Sequence, residues 1–440
     1  MMKQMSKELL SFIEKSPTQF HAVSKLAEIL EEEGFVYQDE AKQWFLESGK
    51  AYYTTRNGSS LIAFKVGESL DNYSFNMVAS HLDSPTFKIK PKALIKNGQY
   101  ISINTEGYGG MILSSWMDRP LSIAGRIFVR ENNQIKGHLF DIDKDLLMIP
   151  NVAIHMNRSI NDGFKYNKQI DMLPLFSMKN NQEEPFLELL AQHLKVDKND
   201  ILTYDLYLYN RAKGVIWGYD DEFIGSKRLD DLQCVYPSIK AIIDTKANNS
   251  INVCCCFDNE EVGSGTMQGA AGTFLLDTLE RINSAFGKSS DELKQALATS
   301  LMVSADNAHA VHPNHLELSD RHNCVYMNKG VVIKFNASQR YTSDGFTASL
   351  FMNYCDRAKV PYQFFTNRSD QLGGGTLGAI STSQVSVPSV DVGLPQLAMH
   401  SAYETAGVED TYSFYKVLVE FYSSYLSRVD DGNMVISKNK

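Results

Sequence analysis

The chain's 440 residues are enough, at about 150 residues per domain, for two or three domains whose cores need no disulfide or metal staples. Apolar residues make up 43% and charged residues 22%, a globular composition that excludes a disordered, collagenous or membrane-embedded chain. With 43 Lys and Arg against 52 Asp and Glu, the net charge is −9, which argues against a cationic surface for nucleic acid or anionic lipid.

Residues 1–8 hold no apolar run of signal-peptide length, and no later stretch approaches the roughly 18 apolar residues of a membrane span. A cytoplasmic protein with no membrane or nucleic-acid partner is expected. None of the six cysteines forms a Cys-x-x-Cys pair, and three are consecutive, Cys254, Cys255 and Cys256. Neighbours on a strand point to opposite faces and cannot bridge, so these read as reduced core residues.

Two amphipathic helices open the chain, Lys7 to Glu14 and Thr18 to Glu33. In the second, Phe20, Val23, Leu26, Ala27 and Leu30 share a face and Gly34 supplies the stop. Apolar strands follow at Ser60 to Val66 and Ser74 to Ser80. From about Pro91 to Asp221 the texture changes to short alternating strands, among them Leu121 to Arg130 and Ile201 to Tyr209, with one helix at Pro185 to Leu194. This stretch reads as a separate β-rich domain.

After Phe223 strands and helices alternate. The predicted order is a helix from Asp231 to Thr245, a buried strand from Ile251 to Phe257 and a helix from Met267 to Asn283. A helix opened by the Ser289-x-x-Glu292 capping box, a strand from Leu301 to Ser304 and a strand from Gly330 to Phe335 come next. A helix from Phe346 to Arg357, strands at Tyr362 to Thr366 and Val385 to Val392, and a last helix around Phe414 to Tyr425 complete the pattern, before a polar tail beyond Arg428. Such alternation predicts an α/β fold with a mostly parallel central sheet flanked by helices.

Five polar clusters sit at strand ends or strand-to-helix turns, where α/β folds place their ligand sites. Ser80-His81-Leu82-Asp83 leaves an apolar strand, and Asp83 has the spacing of a carboxylate that orients a metal-binding histidine. Leu229-Asp230-Asp231 begins a helix. Asp258-Asn259-Glu260-Glu261 follows the cysteine strand, and adjacent glutamates can divide ligation from proton transfer. Asp306-Asn307-Ala308-His309 empties from another strand, and His400 lies in Met399-His400-Ser401. Each cluster alone also reads as a helix cap, a loop surface or a structural pair. Together they form the pattern of a two-metal carboxylate and imidazole site, with Zn²⁺ the best match and Mn²⁺ or Co²⁺ compatible. Gly373-Gly374-Gly375-Thr376-Leu377-Gly378 matches G-x-G-x-x-G but lacks the surrounding βαβ unit, so it reads as a close backbone approach and not as dinucleotide binding.

Seven segments in order resemble the aspartyl aminopeptidases, the aminopeptidase I family of zinc metallopeptidases. They are Ser16 to Val23, Ser80 to Pro85, Ile149 to Arg158, Arg228 to Asp230, Asp258 to Ser264, Asp306 to Asn314 and Val392 to Ser401. The resemblance implies a zinc-peptidase α/β domain, residues 1–91 and 222–440, interrupted by a β-rich dimerisation domain, residues 92–221, with dimers assembling into a tetrahedral dodecamer. It implies two divalent ions per subunit, one held by His81 and Asp306 and the other by Glu261 and His400, with Asp230 bridging and followed by a cis peptide. Glu260 would be the general base, and His155, His309, Lys334 and Tyr341 would contact peptide substrates. His155 would reach the active site of the dimer partner, and Lys334 would favour acidic N-terminal residues. Asp231 stands where the family usually has Asn.

Two other readings use the same residues. One is a two-metal amidohydrolase, a deacylase or carboxypeptidase, acting on N-acyl amino acids. The other is a non-catalytic oligomeric shell protein, against which the intact set of Glu260 and five ligands argues, because burying carboxylates without use is costly.

Overall fold

The computed structural model describes residues 1–178, 184–247 and 249–438. Its central sheet runs in the order Val36–Tyr37, Ala51–Arg56, Ser60–Val66, Ser250–Phe257, Ser74–His81, Leu301–Ala305, Ser389–Gly393, Val331–Lys334, Tyr362–Phe365. The middle four strands, from Ser250–Phe257 to Ser389–Gly393, are mutually parallel. Ser60–Val66 and Val331–Lys334 join them antiparallel on either side. All four middle strands are buried along their whole length, as expected for strands covered on both faces.

Two apolar cores cover those faces. Helices Met2–Glu14, Gln19–Glu32, Leu229–Asp244, Gly345–Ala358 and Asp410–Tyr422 contribute Leu9, Leu26, Leu232, Phe351 and Phe414 to one core. Helices Phe274–Ala285 and Ser290–Ala298 contribute Phe274, Leu279 and Leu293 to the other. The cysteine strand shows the alternation directly, with Cys254 and Cys256 in the first core and Cys255 in the second. All six cysteines are free, and only Cys324 is not buried.

A second, antiparallel sheet of six strands is built within residues 86–210, in the order Gln134–Asp141, Leu121–Glu131, Ile201–Asn210, Thr86–Asn97, Tyr100–Tyr108, Leu175–Ser177. Helix Pro185–Leu194 packs Phe186 and Leu190 against it. Pro91 does not open this sheet. The first strand begins at Thr86, and Pro91 falls where the register slips between Ile89 and Leu94, a bulge being where a proline fits within a strand. A third sheet has five short strands, Val215–Trp217, Phe223–Ser226, Glu404–Gly407, Pro395–Leu397 and Ala308–His309, of which the last two follow on from the carboxyl ends of central strands Ser389–Gly393 and Leu301–Ala305.

Several further boundaries depart from the sequence reading: the first helix starts at Met2 and not Lys7, and Tyr425, expected on the last helix, lies in the strand after it. The expected Met267 helix starts at Phe274, because the chain from 263 to 273 folds into turns in which a Cβ at Gly269 or Gly272 would strike neighbouring carbonyls. The Val385 strand starts at Ser389, just past Pro388. The polar tail is ordered as a hairpin, Ser424–Asp430 against Asn433–Lys438, closed by a turn with Gly432 at φ +81°.

Candidate metal centre

Because Ser74–His81 pairs in parallel with both Ser250–Phe257 and Leu301–Ala305, three carboxyl ends deliver His81, the 258–261 turn and Asp306 to one edge of the sheet. Helix Leu229–Asp244 brings Asp230 to the same place. Arg228 before it is left-handed at φ +56°, and the Asp230–Asp231 peptide is cis. His400, at φ +67°, comes from the loop after Pro395–Leu397.

His81 Nε2 lies 3.4 Å from Asp230 Oδ1, and His400 Nε2 lies 3.4 Å from both Asp230 Oδ2 and Glu261 Oε2. The two oxygens of Asp230 therefore face different imidazoles. Among the described residues, ligand atoms converge within 4.8 Å of one another in three groups: His81, Asp230 and Asp306; Asp230, Glu261 and His400; and His81, Glu260 and Glu261. Asp230 is common to the first two.

These donors fit divalent cations. Asp230 Oδ1 and Glu261 Oε1 are buried without a hydrogen-bond partner, a costly state for carboxylate oxygens unless a cation takes them up. Burial, aided by Asp306, Asp83 and Asp230 and opposed by His81, pushes Glu260 up to about 8. Glu261 is raised well above the usual range, by burial first and then by Asp230. Mixed carboxylate and imidazole ligands suit zinc and its neighbours. His81 Nδ1 is 3.0 Å from the Asp83 carbonyl, which leaves Nε2 facing the centre.

Asp83 is buried and does more than orient His81. Its Oδ1 accepts from the Glu260 amide at 3.1 Å, and its Oδ2 accepts from the Glu261 amide at 3.1 Å and from the Tyr108 hydroxyl at 2.7 Å. Asp231 Oδ2 accepts from the His81 amide at 3.2 Å, and burial pushes this carboxyl well above the usual range.

The residues matched to substrate contacts divide. Lys334 is 3% exposed, donates to the Asn307 carbonyl at 2.7 Å, lies 3.9 Å from Asp306 Oδ1 and sits 5.5 Å from the Tyr341 ring. The ammonium neither snorkels to solvent nor stands without a partner. Tyr341 is buried over it, and His309 is exposed with its ring 6.1 Å from Phe365. His155 is not among the groups gathered at the centre. It is exposed in a turn of the inserted stretch, flanked by exposed Ile154 and Met156.

Four supporting residues were not identified from sequence. Buried Glu404 accepts from the amides of His400 at 2.8 Å and Asp230 at 3.0 Å, fixing two ligand segments with one carboxylate. Arg228 donates to the carbonyls of Ser16 and Leu82, tying the Ser16-Pro17-Thr18 segment to the His81 loop. Tyr108 and Asn259 form the third and fourth, with Asn259 Nδ2 2.8 Å from the Tyr108 hydroxyl oxygen. The spacing of Glu404, four residues past His400, was the one available signal. The other three depend on segments that meet only in three dimensions.

This arrangement is that of a carboxylate and imidazole metal centre in an α/β frame, and the chain belongs to the aminopeptidase I zinc metalloprotease (M18) family, whose model matches residues 12–422. A Clostridium novyi protein called "Probable M18 family aminopeptidase 2" is 45% identical over 423 residues, covering 94% of this chain and 98% of its own. Among solved structures, a chain of the cryo-EM structure of the Ape4 and Nbr1 complex superposes with a TM-score of 0.93 at 35% identity, covering 96% of this chain and 86% of that one. The S. cerevesiae mApe1 dodecamer superposes at 0.84 with 28% identity and 96% coverage of both chains.

Proposed function

We propose that this metallo-aminopeptidase removes acidic N-terminal residues, Asp and Glu, from peptides at a centre of two divalent ions, zinc being the best match. The observation that carries the reading is Asp230, whose Oδ1 lies 3.4 Å from His81 Nε2 and whose Oδ2 lies 3.4 Å from His400 Nε2, the same nitrogen that is 3.4 Å from Glu261 Oε2. His81, Asp306 and Asp230 would hold one ion, and Glu261, His400 and Asp230 the second. Bound there, the ions would acidify a water and polarise the scissile carbonyl.

The chain's own groups supply the rest. Glu260 points from the Asp83-anchored turn into the same cluster, without being needed for either Asp230 site. Its carboxylate takes a proton from the attacking water and returns it to the leaving amine. Lys334 has one hydrogen bond to a carbonyl and a distant approach to Asp306, which leaves donors for a substrate carboxylate once Asp306 is engaged by an ion. That charge-assisted contact would favour acidic side chains. Residues 92–221 are read as a dimerisation domain that offers His155 to the partner's site as a donor to the developing oxyanion. Exposed Val152, Ile154, Met156 and Ile170 supply an apolar surface for such a dimer. Likeness to the mApe1 dodecamer supports a homo-oligomer; on this reading it is a closed tetrahedral dodecamer of dimers in the cytoplasm, which would limit substrates to peptides and loosened chain ends.

Metal analysis combined with a panel of Asp-, Glu-, Leu- and Lys-anilides and N-acyl amino acids tests this. Two ions per subunit and fastest cleavage of Asp- and Glu-anilides are expected. Hydrolysis confined to N-acyl amino acids would instead make the chain a deacylase.

A further inference from the structure

The inserted sheet does not stop short of the metal centre. Strand Tyr100–Tyr108 ends on it, and the chain then runs along it through Gly109 and Gly110. A Cβ at Gly109, which has φ +75°, would stand 3.1 Å from Glu261 Cβ and 3.5 Å from Pro85 Cα. The Ile112 amide donates to the His400 carbonyl at 3.0 Å. One strand end of the inserted sheet thus touches both sides of the cluster.

We propose that Tyr108 is a positioning residue for the reaction, its hydroxyl setting the Glu260–Glu261 turn and the His81 imidazole through Asp83 and Asn259. The direction of each hydrogen bond is fixed. Asn259 Oδ1 already accepts from Thr266 Oγ1 and Gln268 Nε2, both at 2.8 Å, so its Nδ2 faces Tyr108 and can only donate. The single phenolic proton therefore goes to Asp83 Oδ2 at 2.7 Å. Asp83 in turn holds the amides of Glu260 and Glu261 and, through its carbonyl, His81 Nδ1. Asn259 is itself left-handed at φ +63°, immediately before Glu260. One hydroxyl thus anchors both ends of the route from the imidazole to the proposed base. Removing it leaves a buried amide donor unpaired and Asp83 Oδ2 with one donor fewer, which frees the turn to shift.

The aromatic ring packs edge-on against Tyr207 of the same sheet, with centroids 5.6 Å apart. Tyr108→Phe keeps that contact and deletes the hydroxyl alone. This inference rests on the dinuclear peptidase reading, so zinc affinity is measured on metal-free protein by competition with a chromophoric chelator, which needs no substrate. Y108F should weaken zinc binding about 10-fold or more and lower kcat about 10-fold at saturating zinc with KM little changed, the range typical of groups that orient metal ligands. Combined with Asp83→Asn, it should change zinc affinity by clearly less than the product of the two single effects, because both share the Asp83 carboxylate while only the Asn259 contact is separate. Zinc affinity and kcat of Y108F within twofold of wild type would overturn the proposal, as would effects that multiply in the double variant. A lowered unfolding temperature of metal-free Y108F with unchanged zinc affinity would make the hydroxyl a strut only and would also overturn it. Should wild type cleave none of the anilides, the peptidase reading fails while the affinity measurement still judges Tyr108.

Discussion

Glu260→Gln separates proton transfer from metal binding. The main-chain bond from residue 260 to Asp83 Oδ1 at 3.1 Å does not involve the side chain, and Gln has the same length and shape, so the turn is preserved. The five residues proposed as ligands are untouched. In the metal-free protein Glu260 is raised to about 8, hence largely protonated and neutral near pH 7, and a neutral amide costs little fold stability there. The loss falls on turnover. A general base contributes about 10²–10⁴-fold, equal to about 2.7–5.4 kcal/mol at 1.36 kcal/mol per tenfold. E260Q should therefore bind two ions per subunit, keep KM within a few-fold and lose at least about 10² in kcat on its best anilide. Elemental analysis of the purified variant and steady-state kinetics check both halves. The variant at more than a tenth of wild-type kcat would refute the role as base. A variant that loses metal would make Glu260 a ligand, as its grouping with His81 and Glu261 allows.

If His155 acts in the partner's site, H155A and E260Q subunits should complement. Each is inactive alone, but in co-expressed, randomly paired dimers one site in four is intact, giving roughly a quarter of wild-type activity, and no recovery would exclude sharing across a two-fold interface. Lys334→Met should abolish the preference of Asp- and Glu-anilides over Leu-anilide, about 10- to 150-fold if one charge-assisted bond supplies it, while zinc content stays at two. An unchanged ratio would remove Lys334 from the specificity pocket. His21, whose Nδ1 is 2.9 Å from Thr18 Oγ1, is lowered by burial to about 4. The unfolded chain then binds a proton that the fold refuses as pH falls from about 6.5 to 4, so stability is lost across that window by up to about 3 kcal/mol. His21→Asn should flatten the fall in unfolding temperature between pH 7 and 4.5, and an unchanged pH slope would show that His21 does not set it.

The sheet and its ligand-bearing ends were legible because apolar strands such as Ser74–His81 and Ser250–Phe257 run directly into His and carboxylate residues, a pattern that needs no tertiary knowledge. The texture change to short alternating strands located the inserted sheet for the same reason. Tyr108 was hidden because nothing local distinguishes a tyrosine at a strand end. Its meaning arises where strand Tyr100–Tyr108 meets the loops of Asp83 and Asn259. Lys334, expected to favour acidic N-terminal residues, already meets the carbonyl of Asn307, a partner no side-chain pattern encodes. The terminal hairpin was missed because its strands are mostly exposed and polar, so they lack the apolar alternation that marks half-buried strands.

The distribution of the cysteines across the central sheet has a practical consequence for chemical modification. Cys254 and Cys255 lie on opposite faces of a fully buried strand, and burial pushes these thiols and those of Cys234 and Cys355 upward, which suppresses the thiolate that electrophiles attack. Cys324, half-exposed with Sγ donating to the Asp320 carbonyl at 3.1 Å, is the one thiol open to reagent. The native polypeptide should therefore take a maleimide fluorophore at a single defined position, shortly before the strand that carries Lys334, without any cysteine having to be engineered away.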